Sequence, residues 1–551
     1  MRILIFHGYL LGGTGSNVYN ARLAAALVRQ GHEVHLLCQD RHPERQPFVN
    51  AAGDWDAGAL QMHELRSAGE DTSTLRSANE GNCTVYRPDI GALLPVYVAD
   101  RYEGIEARTF AECSEAEVET YLRANVAAVR EVSERVSPQL ALANHLVMGP
   151  VILARALDAE VPYAVKIHGS ALEYTVKPEP ERFLPYAREG LAGAGGILVG
   201  SHHTAASLWR ALEDPEVERR TRLGPPGVDI ERFAPRDPEA AARAVMALAE
   251  RLGRSSEPDA PAPGAGPGGS AQTDAFARDE RAAGEALARL DPADDRLVAF
   301  VGKLIVSKGV DLLIAAWPLV LERVPQAKLI VIGFGAYRTG LERLRDALRT
   351  GDFDAARAIA IAGRSLELEP SEVVLEGPSA TSRPLGHLLA FLDSLRGDAR
   401  ERYLIAASAL GEQVVMTGRL EHEELVELLP ACEALVVPST FPEAFGMVAA
   451  EAAACGVLPV SAGHSGLAEV SAALAQAVPR SVADLLSFPV NDHAVDAIAE
   501  RVGAWLTMDP ALKTRAHQGL VETVRERWSW DGVARVVIAA AEGRLDGLSM
   551  P

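Results

Sequence analysis

The sequence predicts an α/β protein with parallel sheets, and two stretches carry that prediction. The chain opens on the apolar run Ile3-Leu4-Ile5-Phe6, a glycine-rich loop over residues 8–15 and a helix. The second stretch is Ala434-Leu435-Val436-Val437, ended by Pro438 and Ser439, then a loop over 440–446 and an Ala-rich helix over 447–455 closed by Gly456. Short apolar runs bounded by turn residues read as buried parallel strands. A loop that follows such a strand and opens a helix is where α/β domains bind ligands, and free N–H groups at the helix start favour anions.

The chain has 551 residues, room for two to four domains. Its net charge of −21 argues against nucleic acid or anionic lipid as partners, which call for basic surfaces. Cysteines 38, 83, 113, 432 and 455 are scattered and form no C-x-x-C pair, which predicts reduced thiols and a cytoplasmic setting. No run of ~18 apolar residues suggests a membrane span, and the opening apolar run is too short for a signal peptide.

In chain order, Ser16 is a candidate N-cap for a helix over 17–29 whose Val18, Leu23, Leu27 and Val28 face inward. Gly31 stops it, and 33–37 is the second strand. The loop lacks the G-x-G-x-x-G spacing of a dinucleotide site. Residues 41–80 read as polar and irregular. A long amphipathic helix covers 114–136, and strands follow at 140–143, 163–167 and 195–199, with Ser201 as the N-cap of the next helix. The strand at 163–167 ends in His168-Gly169. The adjacent His202 and His203 point to different sides, with no third ligand nearby for a metal.

The stretch 255–272, SSEPDAPAPGAGPGGSAQ, cannot bury enough apolar surface to fold and is expected to be disordered, with helical flanks over 238–252 and 275–290. Strands are expected at 297–301, 328–332, 414–416 and 459–461. Residues 337–412 read as surface helices inserted between two of these strands.

The loop-helix element of the second half contains Glu443 and, eight residues later, Glu451, within PEAFGMVAAE. Together with the small-residue turn after it, this resembles the E-x7-E signature of retaining GT-B glycosyltransferases, family 4. Further segments fit the same resemblance: Gly12-Gly13, His168-Gly169, Pro225-Pro226-Gly227-Val228-Asp229, the GKLIVSKG segment with Lys303 and Lys308, Gly333-Phe334-Gly335, Thr417-Gly418-Arg419-Leu420, and Trp528-Ser529-Trp530. Two departures stand out. Lys303 replaces the family's usual arginine, supplying charge without a bidentate fork, and Pro226 stands where Asn is usual. The connection over 337–412 is longer than the family's.

The resemblance implies a GT-B architecture: two Rossmann-like domains facing across a cleft, with helical and disordered insertions. The expected divisions are an acceptor domain over 1–235, an insertion over 236–295, a donor domain over 296–510 and closing helices over 511–551. It implies transfer of a hexosyl unit with retention from a nucleotide-diphospho-sugar (UDP-, GDP- or ADP-linked) to a sugar, polyol or glycan hydroxyl, without a metal or other cofactor. Glu451 is expected to accept from the ribose hydroxyls. Glu443, with the N–H groups of Phe445 and Gly446, is expected to hold the sugar. Lys303 and Lys308 would neutralise the departing diphosphate, and His168 would contact the sugar. Gly12, Gly13, Gly333, Arg419, Leu420 and Met447 complete the donor-binding set. Alternatives are another GT-B enzyme such as a nucleotide-sugar epimerase, a phosphorylase, and a non-catalytic nucleotide-sugar-binding protein.

Overall fold

The structure is a computed structural model that describes residues 1–13, 15–56, 58–65, 81–98, 106–254, 278–367 and 383–551. The chain divides into two compact units, Met1–Gly227 with Trp528–Pro551, and Val228–Arg527.

The first unit contains β1 (Arg2–Phe6), β2 (Glu33–Leu37), β3 (Ala51–Asp56), β4 (Ala59–Glu64), β5 (Asn82–Arg87), β6 (Leu93–Val96), β7 (Glu106–Thr109), β8 (Leu140–Asn144), β9 (Tyr163–Ile167), β10 (Gly196–Val199) and β11 (Thr221–Leu223). Nine of them form one sheet in the order β11-β10-β9-β8-β1-β2-β5-β3-β4, and β6 pairs with β7 apart from it. The nine-stranded sheet is parallel except where β3 pairs antiparallel with β4. Alternation along β1 serves both faces, since Leu4 and Phe6 join one apolar cluster while Ile3 and Ile5 join the other. The second cluster also receives Tyr19, Leu23 and Leu27 of the helix Gly15–Arg29 and Trp530, Val533 and Val537 of the helix Trp530–Ala541. The chain's last helix is thereby packed into the first unit. A Cβ added at Gly227 would lie 2.6 Å from the Trp530 ring, so this approach requires glycine.

The second unit contributes β12 (Arg296–Val301), β13 (Ala327–Ile332), β14 (Val414–Gly418), β15 (Ala434–Val437), β16 (Leu458–Ala462) and β17 (Ser487–Phe488), parallel throughout, in the order β14-β13-β12-β15-β16-β17. Counted from its first strand this is the doubly wound order 3-2-1-4-5-6, whose direction of winding reverses between the first and fourth strands. The fold class expected from sequence is observed: α/β, with two parallel Rossmann-like sheets.

Several local expectations are corrected. The first helix begins at Gly15, so Ser16 sits inside its first turn rather than capping it. Residues 41–80 are not all irregular, because β3 and β4 form a hairpin there, with few buried residues and hence no alternation to read. Of the helices between residues 337 and 412, several are core elements, not surface additions. Tyr337, Leu341, Leu344, Leu348 and Tyr403 are buried, and the Tyr403 hydroxyl donates to the Ala315 carbonyl at 2.9 Å. The stretch expected to be disordered, 255–272, lies outside the described residues; its flanks form helices Pro238–Gly253 and Glu280–Leu287.

The loop after β12 ends at Gly309, in the left-handed region with φ 65°, where a Cβ would stand 2.1 Å from the Pro438 carbonyl oxygen after β15. Gly309→Ala is expected to cost about 1–3 kcal/mol from the backbone alone, read as a lower denaturant midpoint of the second unit. An unchanged midpoint would show that the two loops do not constrain one another.

Candidate active site

The strand-order reversal of the second unit lies between β12 and β15, and the loops leaving their carboxyl ends carry the sequence-predicted charges. The β12 loop holds Lys303 and, in a short 3-10 turn, Lys308. The β15 loop holds Glu443 and leads into the helix Met447–Ala454, whose N-cap is Gly446. The Lys308 ammonium forms an ion pair with the Glu443 carboxylate, both side chains about three-quarters buried. Ser439 donates its hydroxyl to the same carboxylate at 2.6 Å. The Glu443 N–H donates to the Ser465 hydroxyl at 2.9 Å, and the Gly466 N–H returns to the Glu443 carbonyl at 2.9 Å. Thr440 N–H donates to the Ser307 carbonyl at 2.9 Å, tying the two loops by backbone as well as by charge. Phe445, Gly446 and Met447 line the same turn, and a Cβ added at Gly446 would stand 2.8 Å from a terminal methyl of Leu467, which would have to move.

Glu451, inside that helix, is only 4% exposed, and one carboxylate oxygen lies 2.9 Å from His422 Nε2. The His422 ring in turn lies tilted against the Phe233 ring, centroids 4.9 Å apart. Gly333 abuts the β12 loop, since a Cβ there would meet the Gly302 carbonyl oxygen at 1.9 Å. Arg419 follows β14, with its guanidinium 5.7 Å from the Phe334 ring centroid and 2.9 Å from Glu421, and Leu420 beside it is buried. Among the described residues, no group of three or more His, Cys, Asp or Glu side chains is placed to hold a metal.

Sequence reasoning missed the polar supports. Ser439, Ser465 and His464 brace Glu443, with His464 Nε2 donating to the Ser439 carbonyl at 2.8 Å. Glu367, inside the long connection, accepts the Val306 N–H of the Lys308-bearing turn at 2.5 Å. No local motif marks His464, Ser465 or Glu367, because each acts on a segment distant in sequence, and Ser439 is a common loop residue four positions from Glu443.

The remaining predicted residues, Gly12, Gly13 and His168, belong to the first unit, whose own strand-order reversal lies between β1 and β8. Gly12 and Gly13 are exposed in the β1 loop, Gly13 with φ 89°. His168 leaves β9 half-buried, its ring 4.8 Å from His145 and 5.0 Å from Tyr19. His145 follows β8 in the left-handed region, φ 68°, and both its ring nitrogens lack a partner among the described residues. Burial lowers the pKa of His7 to about 4, and burial with the neighbouring imidazoles drives those of His145 and His168 well down. Lys166, buried beneath Tyr19, is pulled down to about 7.

These imidazoles are neutral in the fold and titrate near 6.5 once unfolded, so below that pH the unfolded chain gains protons that the fold refuses. Their contribution to stability is complete above about pH 6.5 and is lost as pH falls below it, for His7 down to about 4, each group adding up to about 1.4 kcal/mol per pH unit. Lys166 is charged in both states over most of that window and adds little slope. Thermal unfolding of the first unit is expected to move down between about pH 6.5 and 5. A flat profile there would contradict a neutral cluster.

Comparison with known proteins agrees with this geometry. The model described as "Glycosyl transferases group 1" matches residues 288–352 and 388–519, and "Glycosyl transferase 4-like domain" matches 14–225. Residues 353–387, which include Glu367, lie between the two matched stretches of the first of these. The chain is similar to a D-inositol 3-phosphate glycosyltransferase of Segniliparus rotundus, 25% identical over 49% of this chain and 45% of that protein. A second so named, of Xylanimonas cellulosilytica, is 24% identical over 68% of this chain and 63% of that one. An uncharacterized glycosyltransferase of Methanocaldococcus jannaschii is 25% identical over 44% of each. The alignments thus span about half the length of the curated relatives. Among solved structures, the sucrose-phosphate synthase of Thermosynechococcus elongatus matches with TM-score 0.52 and 19% identity over 97% of this chain and 96% of that one. Anabaena HepE in complex with UDP and glucose matches with TM-score 0.52 and 16% identity over 99% and 100%. These two show the fold. With both halves matched by the family's models, the chain belongs to the glycosyl transferase group 1 family, family 4, and has the GT-B fold.

Proposed function

We propose that this chain is a retaining hexosyltransferase that takes a nucleotide-diphospho-sugar as donor and forms an α-glycoside on an acceptor hydroxyl. The observation that supports this most is the Lys308–Glu443 pair at the reversal of β12 and β15, with Glu451 on the helix that follows. In this reading the diphosphate lies along the β12 loop, where Lys303 and Lys308 neutralise the charge that grows as the anomeric C–O bond breaks. The acceptor oxygen bonds to the anomeric carbon on the face the leaving group vacates, and its proton passes to the departing phosphate oxygen. No side-chain nucleophile and no metal enters the scheme.

Glu443 serves twice. In the ligand-free state it holds Lys308 in place; with donor present its carboxylate and the N–H groups of Phe445 and Gly446 receive the sugar hydroxyls. Glu451, oriented by His422, takes the ribose hydroxyls with its remaining oxygen. Arg419, Leu420, Gly333 and Met447 border the nucleotide, while Gly12 and Gly13 border the phosphates and acceptor. His168, neutral, meets a sugar hydroxyl. The acceptor is a sugar, polyol or glycan. The relatives' names make D-inositol 3-phosphate the first acceptor to screen, and the HepE complexes make UDP-glucose the first donor.

Two substitutions separate binding from chemistry. Lys308→Ala is expected to lower kcat about 10²-fold while leaving affinity for the bare nucleoside within about twofold. Glu451→Ala should weaken nucleoside diphosphate binding about tenfold, a change of roughly 1.4 kcal/mol. Wild-type turnover and affinity in both variants would overturn the assignment.

A further inference from the structure

At the reversal between β1 and β8, buried amides and imidazoles form a single file of hydrogen bonds. Asn17 Nδ2 donates to the Gly12 carbonyl at 2.7 Å. A carbonyl only accepts, so the Asn17 oxygen is turned to His7, whose Nε2 lies 3.0 Å from it and 3.0 Å from the Leu10 carbonyl. Both of those partners are acceptors, so His7 Nε2 carries the proton and Nδ1 the lone pair. Asn20 Nδ2 donates to that Nδ1 at 3.0 Å and to the Ser16 carbonyl at 2.9 Å. Its oxygen therefore accepts from Asn144 Nδ2 at 2.8 Å, an amide nitrogen that also donates to the Phe6 carbonyl at 3.2 Å. The Asn144 oxygen is left for His168 Nε2, at 2.8 Å. Each amide is oriented by a backbone carbonyl, so the direction of the file is determined at every joint. Asn17, Asn20, Asn144 and His7 are each no more than 1% exposed.

We infer that Asn144, backed by Asn20 and His7, is a positioning residue that holds His168 as its Nε2–H tautomer and so presents Nδ1 as a hydrogen-bond acceptor to a ligand hydroxyl. His168 is the half-buried member of the file, and its ring makes its hydrogen bond among the described residues through Nε2, to Asn144. Burial keeps the ring uncharged, helped by His145 after β8, Lys166 of its own strand β9 and His7 after β1, while Tyr19 of the first helix packs edge-on against it. That the hydroxyl belongs to a sugar rests on the proposed function. The consequence for specificity is directional: the ligand group must donate. A hydroxyl satisfies Nδ1, whereas an O-methyl or fluoro replacement offers only an acceptor and leaves two lone pairs opposed.

The tautomer is readable without any substrate. Long-range ¹H–¹⁵N correlation on histidine-labelled full-length chain, with His168→Gln to assign the resonance, is expected to show Nε2 protonated and Nδ1 unprotonated from about pH 6 to 8. An Nδ1–H tautomer, or a charged ring, would overturn the inference even if the enzyme is an active transferase. Asn144→Asp replaces the amide by a carboxylate that favours imidazolium. In it the His168 ring should begin to titrate within that range, and kcat/KM for donor should fall about 10–100-fold, the scale on which partners of a ligating histidine act, with a new acid limb in its pH profile. Unchanged titration and an unchanged profile would reduce the file to packing. Asn20→Ser, which breaks the file one joint further back, supplies the same readout if Asn144→Asp does not fold. Loss of transfer in every protein with the tautomer intact would count against the proposed function and not against the positioning role.

Discussion

The reversal of strand order between β12 and β15 is the constraint on which the candidate site depends. Neighbouring parallel strands whose connections wind in opposite directions send their following loops apart, leaving a crevice beyond their carboxyl ends. Here that crevice is braced rather than left slack. Gly309 lets the β12 loop touch the Pro438 carbonyl, Thr440 bonds Ser307, and the Lys308 ammonium lies against Glu443. A carboxylate and an ammonium so placed satisfy one another without ligand. An arriving anion needs only to displace the carboxylate from the lysine, an exchange of partners rather than the desolvation of a bare charge.

The first unit places polar groups at its own reversal but treats charge in the opposite way. Around β1, β8 and β9 the ionisable groups are buried, crowded by one another and held toward their neutral forms. What the reversal organises there is hydrogen-bond direction, carried by amides that cannot titrate. A charged, mutually paired set suits a phosphate-bearing ligand, whereas a neutral, oriented set suits hydroxyls.

The strands were the most legible part of the sequence. Ala434–Val437 carries the bounds read from its apolar run, because burial on both faces leaves no polar residue to blur its ends. The β3–β4 hairpin was illegible for the converse reason, since β4 is exposed nearly throughout and its Leu60 and Met62 are too few to mark a buried face. At the site, residues within a motif could be named because their spacing is local: Glu443 and Glu451 share one loop and helix. Glu451's alanine neighbours said nothing about His422, which approaches from the helix His422–Leu428 and covers the carboxylate. The file from Gly12 to His168 draws on residues 12, 7, 17, 20, 144 and 168, and only the packing of three parallel strands brings them into line. Glu367 is a further case, a residue of the long connection whose contact with Val306 no sequence pattern announces.

The central claim is that the second unit's reversal receives the diphosphate of a nucleotide-linked sugar. The most direct measurement is calorimetric titration of the full-length wild-type chain with UDP, GDP and ADP, each repeated at low and high salt. The account predicts saturable one-to-one binding of one nucleoside diphosphate, weakening as salt screens the two lysines, and much weaker binding of the corresponding nucleoside. Absence of binding by all three, or equal affinity for the diphosphate and its nucleoside, would contradict it.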